Sequence, residues 1–179
     1  FSFQKGLGGE GGHGVLILSP RAVERVNSHA PEWPVPKVFK LHKRGGLDTA
    51  IFEGKTINTP SLLVIEDAID ALSWAEEIGG IEALLKRVDT SFAHFMDWVG
   101  TSPHFEVLAR DPATISPTAL CLVISDDWFT AQPDGVQAGV LKSMLALLEA
   151  EDVAFDINAY RDAPTGLRIW GGPTVDPED

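Results

Sequence analysis

The sequence predicts an α/β chain, and three observations carry that prediction. Short apolar runs bounded by turn residues, at 105–108, 119–124 and 167–170, read as strands. Longer stretches repeat apolar residues every three or four positions, as Leu62, Ile65, Ile69, Leu72 and Ala75 do, and read as helices. Pro- and Gly-rich connections separate the two kinds of segment.

The first 14 residues hold six of the chain's 17 glycines and one lysine, Lys5. Phe1, Ser2, Phe3 and Gln4 alternate as in a strand. Gly6, Gly8 and Gly11 match the spacing of a dinucleotide-binding loop, but that loop needs a helix after it. Here residues 15–18 follow, a continuous apolar run that reads as a buried strand, so no helix N-terminus is at hand for a pyrophosphate. No Gly-Lys-Ser/Thr occurs, which removes a P-loop. A second chemistry makes Lys5 a Schiff-base lysine. A lysine amine is a poor nucleophile until its surroundings activate it or a cofactor such as pyridoxal phosphate captures it. A solvated lysine in a glycine-rich turn accounts for the same residues.

Ser19 caps and Pro20 begins a short helix to Val26. Three prolines within 30–36 make an extended, helix-free connection. The basic segment 37–46 ends in a turn and reads either as a phosphate-contacting loop or as a solvated arm. In Asn58-Thr59-Pro60, Thr59 suits an N-cap and Pro60 the first helical position of a helix that Gly79-Gly80 ends. Such a helix start is an anion site in waiting, or a simple cap. A second helix covers 81–99, with Leu84, Leu85, Val88, Phe92 and Val99 on one face and His94 at its boundary. Cys121 lies in the strand 119–124 and is expected to be buried and inert. Asp134-Gly135 opens a third helix, lined by Val136, Val140, Leu141, Met144 and Leu148. Strands at 153–157 and 167–170 flank a loop at 160–166 that brings Arg161 near Arg168 in sequence. A guanidinium offers a planar fork for carboxylate or phosphate, although a strand arginine most often faces solvent. The acidic tail 176–179 reads as frayed.

An apolar fraction of 44% with 22% charged residues is that of a globular, soluble protein. No apolar run reaches the roughly 18 residues of a membrane span, and the opening residues are not expected to be a signal peptide. The single Cys121 forms no internal disulfide, which suits a reducing cytoplasm. The net charge of −12 argues against nucleic-acid binding. That charge is unevenly spread: residues 1–55 carry eight Lys/Arg against five Asp/Glu, and the remainder six against 21. Metal-binding and serine-hydrolase motifs do not occur.

Three segments in order, SFQKGLGGEGGHGVLILSPRAVERV, FEGKTINTPSLLVIEDAIDAL and GLRIWGG, closely resemble the phosphoserine aminotransferase family. The resemblance covers nearly the whole chain. It implies the C-terminal part of a fold type I transferase, with a long portion preceding the lysine and a final helix beyond the tail. Residues 1–75 would be the remainder of the large cofactor domain with a connecting helix, and residues 76–179 a small domain with a mixed sheet. Lys5 would carry pyridoxal 5′-phosphate and, once released, shuttle a proton, with Gln4 beside it at the cofactor. Asn58 and Thr59 would reach the cofactor phosphate of the partner subunit, making the active unit a homodimer. Arg168 would bind the substrate carboxylate and Arg161 the substrate phosphate, although the spacing of this pair departs from some branches. The implied reaction passes an amino group between glutamate and 3-phosphohydroxypyruvate. Rival readings are another aminotransferase of the class, such as one for serine and glyoxylate, and a non-catalytic half-enzyme. A cysteine desulfurase fits less well, because it would need Cys121 on a mobile loop.

Overall fold

The structure, a computed structural model, describes residues 1–178. It divides into two compact units, Phe1–Ser73 and the part from Trp74 onward.

The first unit opens on a closed loop and continues into helix α1 (Pro20–Ser28). Ser19 caps α1 as expected, its hydroxyl accepting the Ala22 N–H at 3.2 Å. A small hairpin follows, β1 (His42–Lys43) paired antiparallel with β2 (Gly46–Leu47). Arg44 and Gly45 turn it with φ of 49° and 92°. The Asn27 side chain accepts the Leu47 N–H at 2.8 Å and ties this hairpin to α1. In the basic segment, Lys43 lies 3.8 Å from Asp48, while Lys37, Lys40 and Arg44 are exposed. Helix α2 (Leu62–Glu77) packs Val64 and Ala68 onto Phe3 of the opening loop.

Three expectations fail in this unit. Residues 15–18 form no strand, and Val15, Leu16 and Ile17 are exposed. A strand needs a neighbour for its N–H and C=O groups, and within this unit Phe1 meets only Val15, while Ser2 bridges only Gly14. Helix α2 starts at Leu62, not at Pro60, because Ser61 takes the capping place: its hydroxyl faces the Val64 N–H at 3.5 Å and its carbonyl accepts from Ile65 at 3.2 Å. The face of α2 that packs is the one with small residues, Val64, Ala68 and Ala75, while Leu62, Ile69 and Leu72 are exposed.

The second unit is a three-stranded sheet with helices. Helix α3 (Gly80–Thr101) precedes β3 (Phe105–Val107) and the central β4 (Ala119–Ile124). The short α4 (Asp127–Thr130), α5 (Asp134–Ala150) and β5 (Gly166–Trp170) follow. The strand order is β3-β4-β5, and the pairings are antiparallel throughout, a narrower outcome than the mixed sheet expected. Leu120 and Leu122 of β4 point into a core with Val99, Leu141 and Leu167. Gly166 faces Val123 in the ladder, and a Cβ there would run into the Leu122 carbonyl, so β4 and β5 can approach only at a glycine.

Residues 153–157 do not form the expected strand. Asp152 and Asp156 take φ of 55° and 52°, which breaks the extended run and leaves Val153 and Phe155 exposed. The chain rejoins the sheet at Ile157, whose carbonyl accepts the Arg168 N–H, and at Asn158, bridged to Leu167. Cys121 is half-buried, not fully buried, since it alternates with Leu120 and Leu122 and faces away from the core. Leu85, placed on the apolar face of α3, and Val136, placed on that of α5, are exposed. The tail is tied down as far as it is described: Arg87 holds Pro173 and Val175, and His94 Nδ1 lies 3.2 Å from the Pro177 carbonyl. Asp179 of that tail lies outside the described residues.

Candidate functional site

In the first unit the site is built on the opening loop. Phe3 is buried on α2 and anchors it. The loop is drawn closed by Phe1 with Val15, the Ser2–Gly14 bridge and the Phe3 N–H to the His13 carbonyl at 3.3 Å. Lys5 sits at the turn of this closed loop, where its carbonyl accepts the Gly8 N–H at 3.0 Å. Gly8 closes that turn with a φ of 69°, a conformation that glycine adopts without strain. Lys5 itself is exposed. Gln4 lies with its side-chain amide beside Gly11, and a Cβ at that glycine would meet it at ordinary contact distance.

His13 is a site residue that the sequence reading missed. Its Nε2 accepts the Ser61 N–H at 3.3 Å, which leaves Nδ1 as the protonated nitrogen of the neutral ring. That Nδ1 is buried and has no hydrogen-bond partner. The signal was present: a titratable ring enclosed by Gly12 and Gly14 in a run otherwise read for its glycines and lysine. The His13–Ser61 bond also holds the start of α2 beside the loop, so Asn58 and Thr59, both exposed, stand just ahead of a residue that contacts it. Lys5, Gln4, Asn58 and Thr59 thus belong to one unit. Thr59 does not cap the helix, as described above.

Arg161 and Arg168 belong to the second unit. Arg168 is on β5, opposite Cys121 in the ladder and on the face away from Leu167. Its Nε is buried without a hydrogen-bond partner. Its guanidinium carbon lies 4.5 Å from the centre of the Tyr160 ring. Residues 157–159 run along β5 through the Arg168 N–H to Ile157 at 2.8 Å and the Ala159 N–H to Gly166 at 3.3 Å, and so deliver Tyr160 to that place. Arg161 is exposed in the turn that follows, which the Ala163 N–H closes onto the Tyr160 carbonyl at 3.0 Å. Tyr160 is the second residue the sequence reading missed. Its only signal was its place beside Arg161, because no periodicity links it to Arg168.

Among the described residues no group of three or more His, Cys, Asp or Glu side chains could hold a metal ion. None of the described helices is long and apolar enough to cross a membrane.

No family model matches the chain. Over its whole length it is similar to phosphoserine aminotransferases of Methanosarcina mazei, with 46% identity over 179 residues, and of Methanosarcina barkeri, with 48% over 181. A more distant relative of the same description, from a Nocardioides species, is 29% identical over 181 residues. The chain spans just under half of these relatives, 46% of the first two and 44% of the third. A solved structure concerned with radiation damage of the Schiff base in phosphoserine aminotransferase superposes with a TM-score of 0.58 at 19% identity. That superposition covers 73% of this chain and 33% of the other, and it establishes the fold as that of part of such a transferase. The resemblance read from the three sequence segments is borne out.

Proposed function

We propose that this chain is the C-terminal portion of a phosphoserine aminotransferase, which passes an amino group reversibly between L-glutamate and 3-phosphohydroxypyruvate. The observation that carries the reading is identity of 46–48% to two proteins of that description along the full length of the chain. The substrates are small acids and the setting is the cytoplasm. In this reading residues 1–75 complete a large cofactor domain and residues 76–179 form the small domain.

The residues of the opening loop fit pyridoxal 5′-phosphate. His13 presents a buried Nδ1 donor that lacks an acceptor, and Gln4 and Lys5 are exposed on the same loop. A phosphorylated aldehyde answers this set, taking the lysine amine at one end and the donors at the other. When bound, the cofactor supplies the electron sink for breaking the α C–H bond. Lys5 would hold it through its amine and, once substrate displaces that amine, would take the proton from the substrate α-carbon and deliver it to the cofactor carbon. Gln4 and His13 orient it. Asn58 and Thr59 serve the cofactor phosphate of a second copy, so that the working unit is a homodimer. Arg168 holds the substrate carboxylate and Arg161 the substrate phosphate.

The test uses the complete protein. Glutamate-dependent amination of 3-phosphohydroxypyruvate is expected, and Lys5→Ala is expected to abolish it along with the bond to the cofactor that borohydride fixes. Activity on serine and glyoxylate without activity on the phosphorylated acid would replace this reading with another transaminase of the class. A complete protein that binds the cofactor yet transfers no amino group would leave a non-catalytic role.

A further inference from the structure

We propose that Tyr160 is a positioning residue that holds the Arg168 guanidinium by its face, so that a substrate carboxylate is taken on its edge through Nε. The inference rests on Arg168 being the carboxylate anchor. It adds a residue that neither the sequence motifs nor the likeness to other proteins assigns.

Three observations carry it. The guanidinium carbon of Arg168 is 4.5 Å from the Tyr160 ring centre, well inside the roughly 6 Å of a cation–π contact. Stacking uses the face of a guanidinium, whereas its N–H bonds lie in the plane, so the ring and a carboxylate do not compete. The Nε donor is buried and without a partner. Among the described residues no carboxylate pairs with Arg168, and its neighbour across the ladder, Cys121, carries no counter-charge. The Tyr160 ring over the guanidinium bears on the plane of the fork. A two-point contact to a carboxylate depends on that plane, since both bonds must form at once.

The alternative role for Tyr160 is ordinary packing. Tyr160 is 66% exposed and is absent from the apolar core cluster of its unit, while its ring lies against the Arg168 guanidinium. Its placement is set by the backbone, through the bonds of residues 157–159 to β5 and the turn closed at Ala163.

The test uses the complete, cofactor-loaded protein and maleate, a dicarboxylate with no amino or carbonyl group to react. Tyr160→Ala is expected to weaken maleate binding, measured by calorimetry, by roughly three- to tenfold. KM for glutamate should rise in parallel, with the unfolding midpoint unchanged. Tyr160→Phe keeps the ring and should restore wild-type binding. Unchanged binding in Tyr160→Ala, or an equal loss in Tyr160→Phe, would overturn the proposal, as would a fall in kcat alone. Arg168→Lys separates the two layers. If it weakens maleate binding while Tyr160→Ala does not, only the role of Tyr160 falls. If neither variant changes binding, the carboxylate is held elsewhere and both fall.

Discussion

Arg87 on α3 donates from Nε to the Pro173 carbonyl at 2.8 Å and from Nη2 to the Val175 carbonyl at 3.1 Å. One side chain thereby fixes the segment that leaves β5, and its guanidinium also lies 5.7 Å from the Trp74 ring centre. Both bonds are made by an ion to main-chain oxygens, the kind that contributes about 1.5–3 kcal/mol each. Arg87→Met keeps the aliphatic stem and loses both donors. It is expected to destabilise the second unit by about 2–3 kcal/mol and to open residues 173–178 to protease. A urea midpoint and cleavage pattern identical to wild type would show that the segment is held by other contacts.

A pH dependence follows from Asp126, the N-cap of α4. Its carboxyl is held below the usual carboxylate range, first by the Phe129 N–H at 3.1 Å and then by His104 at 2.9 Å. A carboxyl with a lowered pKa in the fold contributes stability above its unfolded pKa and loses it as pH falls through the folded value. Asp126→Asn retains a capping oxygen and removes the charge. The variant should therefore melt below wild type near neutral pH, and the gap should close on acidification below about pH 4. Thermal unfolding of both proteins across that window reads it, and a gap independent of pH would exclude the charge as its source.

The central strand offers a contrast between neighbours. Leu122 is buried to within 2% of full burial and Cys121, next to it, faces the other way. Leu122→Ala is expected to cost about 2–5 kcal/mol, because neighbours on both sides of the core cannot collapse into the space. Cys121→Ala is expected to cost under about 1 kcal/mol. Denaturant midpoints of the two variants provide the comparison, and similar losses would mean that the second face of the sheet is also packed.

The parts of the fold that were legible in sequence are those whose cause is local. Ser19-Pro20 starts α1 because a hydroxyl caps and a proline fits the first turn, and Gly79-Gly80 stops α2 because both glycines take positive φ. The six apolar residues of β4, bounded by turn residues, gave its bounds. What failed depended on partners. Residues 15–18 carry strand chemistry, but the backbone pairing with Phe1 stops at Val15, and 153–157 look extended until Asp152 and Asp156 turn the chain. The same division holds at the site. Lys5 and Arg168 stood out by residue type, whereas His13 became visible only through its bond to Ser61, and Tyr160 only through its ring over Arg168. Contacts across 48 and eight positions have no period to announce them.

The last prediction separates the two arginines of the second unit. Arg168 stands on a strand, with its backbone bonded to Ile157 and its guanidinium over the Tyr160 ring, whereas Arg161 is exposed in a turn. A rigid fork suits the group next to the reacting carbon, because the α C–H bond must be held at one angle for the proton to leave. A turn arginine suits a group at the far end of the substrate, where distance matters more than angle. Both glutamate and phosphoserine present the α-carboxylate, but only phosphoserine presents a phosphate. Arg168→Lys keeps the charge and loses the fork, so it should slow both half-reactions, by roughly ten- to a hundredfold if one charge-assisted bond is lost. Arg161→Ala should slow the half-reaction with phosphoserine and leave that with glutamate near wild type. Single-turnover rates of the complete protein with each amino donor measure the two effects separately. Equal losses with both donors in Arg161→Ala would move Arg161 from the phosphate to the shared end of the substrate.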